Sequence, residues 1–365
     1  MNFIHSADFH LYSGNRLEDF TASLWQIANE AVESKCSFIV NPGDIFHKGT
    51  PDNQAKTVFS KWVAFLKNHN IKIFSVVGTH DYTRESSSLS PYKSLELDNL
   101  VVYDSLGIYK EVVNNQAITF LVIPHLWKYT DESTLKEIQD KIKEFSQIKD
   151  DSKKIILGHF TLEGSQVSDS FTILKGQSDF ILNLGIFENS GANYILLGHI
   201  HKPQVLTCGK SIAHYSGSIE HVTWGEIKNE LGFWLVNNWG IPEFIPLKTR
   251  PKQILLPEEL SSILTKNKEE LKGKLIQVLI NSTNSNIFAE IKKKVTDAGA
   301  IIEVAPLKME KKKEIISKEE LEKLVNDSGY TWKEYAQEKI NSVSIEYDKQ
   351  LLTSQFEELL SKGKE

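Results

Sequence analysis

Short apolar, β-branched runs recur along the first two thirds of the chain, at residues 3–5, 37–40, 71–77, 118–123, 154–157, 194–197 and 233–236. Each has the length of a buried strand. Between the early runs the period changes. Over residues 17–34, Leu17, Phe20, Leu24, Ile27, Ala28, Ala31 and Val32 recur at spacings of three and four, which puts them on one helix face. Residues 53–68 repeat the habit with Val58, Trp62, Phe65 and Leu66. Strand alternating with helix predicts an α/β layered architecture.

The texture changes near the PLKTRPKQ stretch at residues 246–253. Beyond it, residues 274–280 and 300–304 read as strands around a helix at 286–298. This is a small α+β domain spanning 246–307, after a large domain over 1–245. A basic, polar linker over 308–316 follows, and residues 317–365 read as helices. Ser317 and Glu320 form a capping box that starts a helix at Lys318, and Asp327-Ser328-Gly329 stops it.

Composition narrows the class. A length of 365 residues suits one large domain with one or two small ones. The chain is 40% hydrophobic and 25% charged, as in soluble globular proteins, so its core needs no disulfide staples. Cys36 and Cys208 lie far apart without metal-type spacing, which predicts a reduced, cytoplasmic protein. No apolar run approaches the roughly 18 residues of a membrane helix, and MNFIHSADFH lacks the layout of a signal peptide. The net charge of −6 argues against holding nucleic acid by bulk electrostatics. It does not exclude a nucleic-acid enzyme, because bound cations add positive charge locally.

Five short motifs fall where apolar strands end: Asp8-Phe9-His10, Gly43-Asp44-Ile45-Phe46-His47, Gly78-Thr79-His80-Asp81, Gly158-His159 and Gly198-His199-Ile200-His201. In open α/β sheets, sites form outside the carboxyl ends of strands, so one shared sheet would deliver all five to one rim. Imidazole and carboxylate without thiolate suit manganese, iron or zinc better than calcium. Asp8, His10, Asp44, His159, His199 and His201 exceed what one ion can use. Two ions roughly 4 Å apart can clamp a phosphate and acidify a water.

The motif order resembles that of the calcineurin-like metallophosphoesterases, D-x-H, G-D, G-N-H-D, G-H and G-H-x-H. Within them SADFHL, NPGDIFHKGTPDN, ILLGHIHKPQ and YSGSIEHVTWGE resemble the SbcD-type nuclease subunit of the SbcCD complex. The resemblance is specific over residues 1–240 and one of layout beyond Pro246. It implies a four-layer β-sandwich flanked by helices, a capping domain and C-terminal helices. It also implies two divalent ions, with manganese favoured. Asp8, His10 and His201 would hold the first, Asp44 would bridge, and His159 and His199 would hold the second. His80 would act on the phosphodiester or its leaving oxygen, with Asp81 fixing its ring. His47 would stabilise charge on the phosphate.

The activity implied is 3′→5′ double-strand exonuclease and single-strand endonuclease action at DNA ends in repair, recombination and replication. An SMC-like ATPase of the SbcC type would dock on the C-terminal helices. A homodimer would form through helices near 53–68 and 88–99. The cellular setting would be the cytoplasm near the nucleoid, or host cytoplasm for a phage-encoded chain.

One position departs from the pattern. Thr79 stands where the family has a metal-ligating asparagine. Either Thr79 or a water fills that place with a weaker second site, or the chain is a catalytically weakened DNA-end and ATPase-binding scaffold. A phosphatase or cyclic-nucleotide phosphodiesterase on the same fold is a further alternative. Outside the motifs, His5, His69, His125, His214 and His221 read as surface or satisfied core histidines, with His125 the one placed at a strand end. Tyr215–Ser218 reads equally as a rim or a structural turn, and Glu226 as a surface or packing carboxylate.

Overall fold

The computed structural model describes residues 1–14, 16–82, 98–125, 132–168, 171–172, 181–280 and 285–306. The linker, the terminal helices and most of the 88–99 segment expected at a dimer interface lie outside the described residues. Met1–Ile280 and Asn284–Ala305 form one compact unit, to which all that follows belongs.

Two six-stranded sheets carry the fold. In the first, Glu243–Pro246, Gly232–Val236, Asn2–His5, Cys36–Asn41, Lys72–Val76 and Leu100–Tyr103 lie side by side in that order. In the second the order is Gln204–Cys208, Ser211–Tyr215, Tyr194–Gly198, Lys153–His159, Gln116–Ile123 and Gly107–Val113. The first sheet pairs Asn2–His5, Cys36–Asn41, Lys72–Val76 and Leu100–Tyr103 in parallel. The second does so for Gln116–Ile123, Lys153–His159, Tyr194–Gly198 and Ser211–Tyr215.

The apolar runs fill both faces of these strands, with a period of two. Phe3, Phe38, Val40, Phe74 and Val76 point into a core shared with Phe120, Val122, Ile155, Leu157 and Leu196 of the other sheet. Their neighbours Ile4, Ile39 and Ile73 face the helices Leu17–Glu33 and Asn53–Asn68 through Phe20, Leu24, Ile27, Phe59, Trp62 and Leu66. On the far side, Leu121, Ile156, Ile195 and Leu197 pack on Ile138, Ile142 and Phe145 of the helix Glu132–Ser146. Helices, sheet, sheet and helices make the four layers that the motif resemblance implies.

The sequence legibly predicts the seven apolar strands and the two early helices. It does not show Leu100–Tyr103, Gly107–Val113, Gln204–Cys208, Ser211–Tyr215 or the helix Glu132–Ser146. The five motif strands do not share a sheet. Asn2–His5, Cys36–Asn41 and Lys72–Val76 belong to the first, and Lys153–His159 and Tyr194–Gly198 to the second.

Within 246–307 a three-stranded sheet runs Lys252–Leu255, Leu275–Ile280 and Ile301–Pro306, with the helices Pro257–Lys266 and Ser285–Asp297. It has its own apolar cluster around Leu260, Leu271, Ile276, Val278 and Val295. Polar contacts join it to the rest of the unit. Glu220, buried, accepts from Lys252 Nζ at 2.5 Å and lies 3.3 Å from Arg16. Arg250 Nε donates to Asp19 at 2.7 Å.

Candidate metal centre

The site lies where strand ends of the two sheets meet. Asp8, His10, Asp44 and His199 all hold positive φ, at 54°, 44°, 55° and 88°. Left-handed backbone is costly for residues with a side chain, by roughly 1–3 kcal/mol each, and gathers where function over-determines geometry. Bonds from the neighbouring loop hold it here. Asp8 N–H donates to Gly43 O at 3.0 Å, and His10 N–H to Asp44 O at 2.9 Å. Gly43, at φ +105°, leaves no room for a Cβ, which would run into Nδ1 of His159.

Asp8 reaches across the seam. Its two oxygens accept the His199 backbone N–H at 3.0 and 3.1 Å. Asp44 Oδ1 accepts the His80 backbone N–H at 2.7 Å. Asp44 Oδ2 lies 3.3 Å from Nε2 of His159 and 3.7 Å from Nε2 of His10, so it stands between the two sheets' histidines.

Each ring is oriented through its other nitrogen. His159 Nδ1 donates to Pro42 O at 2.7 Å, which turns Nε2 toward Asp44. His80 Nδ1 donates to His47 O at 3.0 Å, and the two rings stack at 17°. His201 Nδ1 donates to Glu226 at 3.1 Å, while its Nε2 lies 3.0 Å from Nε2 of His10.

The electrostatics follow from burial. Burial penalises charge on Asp44, but His159 and His10 beside it hold its carboxyl far below the usual carboxylate range. Burial opposes protonation of His159, yet Asp44 and Asp8 raise it to about 9. Burial, reinforced by His201, lowers His10 well below an ordinary imidazole. Burial raises Asp8, against the pull of His159 and His201.

This donor set fits divalent cations. Asp8 and Asp44 are fully buried, and among the described residues their neighbours in charge-pairing range are histidines, not lysine or arginine. Buried carboxylates need compensating charge. Ligand atoms of Asp8, His10 and His201 converge within 4.8 Å of one another, as do those of Asp8, Asp44 and His159. A third such group joins His10, His47 and His80.

Of the residues expected at the site, Asp8, His10, Asp44, His159 and His201 are therefore brought together, with His47 and His80 beside them. His199 and Thr79 lie at the edge of the cluster, with Thr79 Oγ1 3.4 Å from His199 Nδ1. Asp81 differs from expectation. Its oxygens accept the backbone N–H groups of Asp44 at 2.9 Å, Gly78 at 3.0 Å, Phe46 at 3.1 Å and Ile45 at 3.4 Å. It braces the loop that carries Asp44, and the His80 ring is held by the His47 carbonyl instead. Burial and the charge of Asp44 push Asp81 up to about 7.

Two residues gain a place that sequence alone does not assign. Glu226 is the partner of His201, and its three-residue spacing from Thr223 was the available signal. His125 stacks on His199 at 25° with ring centres 6.2 Å apart. The Tyr215–Ser218 segment is structural at both ends. Tyr215 Oη donates to Phe160 O, Ser216 Oγ accepts from the Ala7 N–H, and the Ser218 N–H donates to His201 O.

The calcineurin-like phosphoesterase family matches residues 1–203. The chain is 29% identical over 339 residues to the DNA double-strand break repair protein Mre11 of Archaeoglobus fulgidus, covering 82% of this chain and 69% of that one. It is 26% identical over 270 residues to the D component of nuclease SbcCD of Staphylococcus epidermidis, covering 68% and 70%. Mre11 of Methanocaldococcus jannaschii is 28% identical over 253 residues, covering 66% and 63%. These relatives bear out the resemblance to the SbcD-type branch. Among the described residues no helix is long and apolar enough to cross a membrane.

Proposed function

We propose a DNA-end nuclease function for this chain, which belongs to the calcineurin-like phosphoesterase family. The observation that carries the reading is the convergence of Asp8, His10, Asp44, His159 and His201 beside the stacked pair His47 and His80. Similarity to proteins named for double-strand break repair and for SbcCD supports DNA as the substrate.

Asp8, His10 and His201 would hold one cation, and His159 and His199 a second, with Asp44 between them. Thr79 would be a weak neutral donor to the second. When bound, the ions polarise the phosphate and lower the pKa of a water. Manganese suits the imidazole–carboxylate set. The chain's own groups do the rest. His80 is anchored through its backbone to Asp44 and through Nδ1 to His47 O, which leaves Nε2 to bind the phosphodiester or hand a proton to the leaving oxygen. His47, half-buried against it, would add a donor to the phosphate. Asp81 keeps the Asp44 loop from shifting. The 3′→5′ exonuclease and single-strand endonuclease activities, the homodimer and an SbcC-type ATPase partner on the C-terminal helices belong to the same proposal.

End-labelled duplex DNA and a nitrophenyl phosphate ester, assayed side by side with manganese, test it. Cleavage of DNA that exceeds ester hydrolysis and disappears in His80→Gln is expected. Ester hydrolysis alone would move the chain to the phosphatases of this fold. A second reading, a weakened scaffold, rests on Thr79, whose hydroxyl faces His199 from 3.4 Å. DNA binding without cleavage, and a single bound ion, would favour it.

A further inference from the structure

The turn Trp224–Glu226 touches a metal ligand at one end and the capping sheet at the other. Glu226 Oε1 accepts from His201 Nδ1 at 3.1 Å and from the Thr223 hydroxyl at 3.0 Å. Its Oε2 accepts the Val222 N–H at 2.9 Å. The carboxylate is thus fixed from behind by the backbone of its own turn. Two residues earlier, the Trp224 indole N–H donates to Glu303 Oε2 at 2.5 Å. Glu303 lies on Ile301–Pro306, a strand of the capping sheet.

We infer that Glu226 is a positioning residue for the His10/His201 end of the site, and that the Trp224–Glu303 bond ties this placement to the cap. The inference rests on the metal centre proposed above and adds a coupling to it. A histidine that ligates a cation through Nε2 must carry its proton on Nδ1, and an acceptor behind Nδ1 enforces that tautomer. His159 and His80 have backbone carbonyls in this place. His201 alone among these three has a carboxylate, which also makes the ring a more basic donor. His201 needs the constraint, because its side chain is 20% exposed where those of His10 and His159 are 0%. The turn that supplies the carboxylate is held on its other side by a residue of the cap. Movement of Ile301–Pro306 against Trp224 therefore pulls on the same three residues that set His201.

Glu226→Gln separates this from a purely structural role. Glutamine can keep the Val222 bond with its carbonyl oxygen. Its NH2 group then faces His201 and asks for a lone pair on Nδ1, which moves the ring proton to Nε2. Long-range proton–nitrogen NMR of the full chain in EDTA, at a pH high enough for a neutral His201 ring, should show the proton on Nδ1 in wild type and on Nε2 in E226Q. Manganese titration followed by electron paramagnetic resonance should show one ion weakened about 10–100-fold. Trp224→Phe should weaken the same ion about 3–10-fold, with the His201 tautomer kept. An unchanged tautomer or unchanged manganese affinity in E226Q overturns the positioning role. Unchanged affinity in W224F overturns the coupling to the cap, and W224F alone decides the case should E226Q fail to fold. Wild type that binds no manganese would instead overturn the metal centre itself.

Discussion

Asp44 donates its backbone N–H to Oδ2 of Asp81 at 2.9 Å, so one buried carboxylate holds the main chain of another. Gly78 and Phe46 complete the clamp. Asp81→Asn replaces an acceptor by an NH2 group that faces N–H donors. It should cost about 2–4 kcal/mol, the penalty of buried donors left without acceptors. Urea unfolding in EDTA measures this apart from metal binding, and a loss under about 1 kcal/mol would contradict the bracing role.

Gly43→Ala should act on His159. The new Cβ meets the imidazole at a backbone φ of +105°. Strain and overpacking together should destabilise by about 2–4 kcal/mol and displace His159. Loss of manganese stoichiometry in a variant that still folds is the expected signature.

Glu220→Gln should be among the most damaging single changes where the three-stranded sheet meets the rest of the unit. Lys252 and Arg16 are nearly as buried as Glu220 and both pair with Oε1. Removing the shared negative charge leaves two buried cations, at a cost of about 3–5 kcal/mol. Calorimetry should show a clearly lower Tm, with little dependence on salt because the pair is shielded from solvent.

His5 and His214 should each withdraw stability as pH drops below 6.5, against the opposite contribution of Asp81, which is raised to about 7. Burial, with help from His214, lowers His5 to about 3, and burial lowers His214 to about 4. Both folded values lie below the unfolded 6.5, so the unfolded chain binds more protons. Their stabilisation is whole above pH 6.5 and is lost as pH falls toward those values, about 1.4 kcal/mol per pH unit for each histidine. Between pH 7 and 5 the denaturation midpoint of wild type should lose ground against that of His214→Gln as pH falls. Parallel slopes would contradict the assignment.

Thr79→Asn should strengthen the second ion. The amide oxygen reaches one bond further than the hydroxyl and is a stronger neutral donor. Calorimetric manganese titration should show higher affinity at one of two sites, with faster DNA cleavage. An unchanged titration would remove Thr79 as the cause of asymmetry.

Much of this site was legible because each motif is local. Asp8-Phe9-His10 or Gly198-His199-Ile200-His201 carries its geometry within four residues and ends an apolar strand. Glu226 was not legible, because it meets His201 across 25 residues by way of a turn that ordinary capping would also explain. The family resemblance implies that Asp81 fixes the ring of His80. The Gly78 turn sends its carboxylate back to the 44–46 loop instead. The same logic holds for the fold. Runs buried on both faces, such as Cys36–Asn41, read as strands at once. Gly107–Val113 is an edge strand with exposed Val112, and its residues lack the apolar run that marks a centre. That the motif strands divide between two sheets has no signature in any one of them.

The division has a mechanical side. The first sheet is drawn from both ends of residues 1–246, and the second from the middle, residues 107–215. Asp8, His10 and Asp44 hang from the former, and His159, His199 and His201 from the latter. Cations held by all six, as proposed above, would act as a rivet through the sandwich, fastening an inserted half to the half that encloses it. Under load, the two sheets would resist shear by the phenylalanines of the core, by the hydrogen bonds that Asp8, His159 and Ala7 make across the seam, and by this metal cross-link. On that reading the resistance of the fold to force would rise with the free concentration of metal around it.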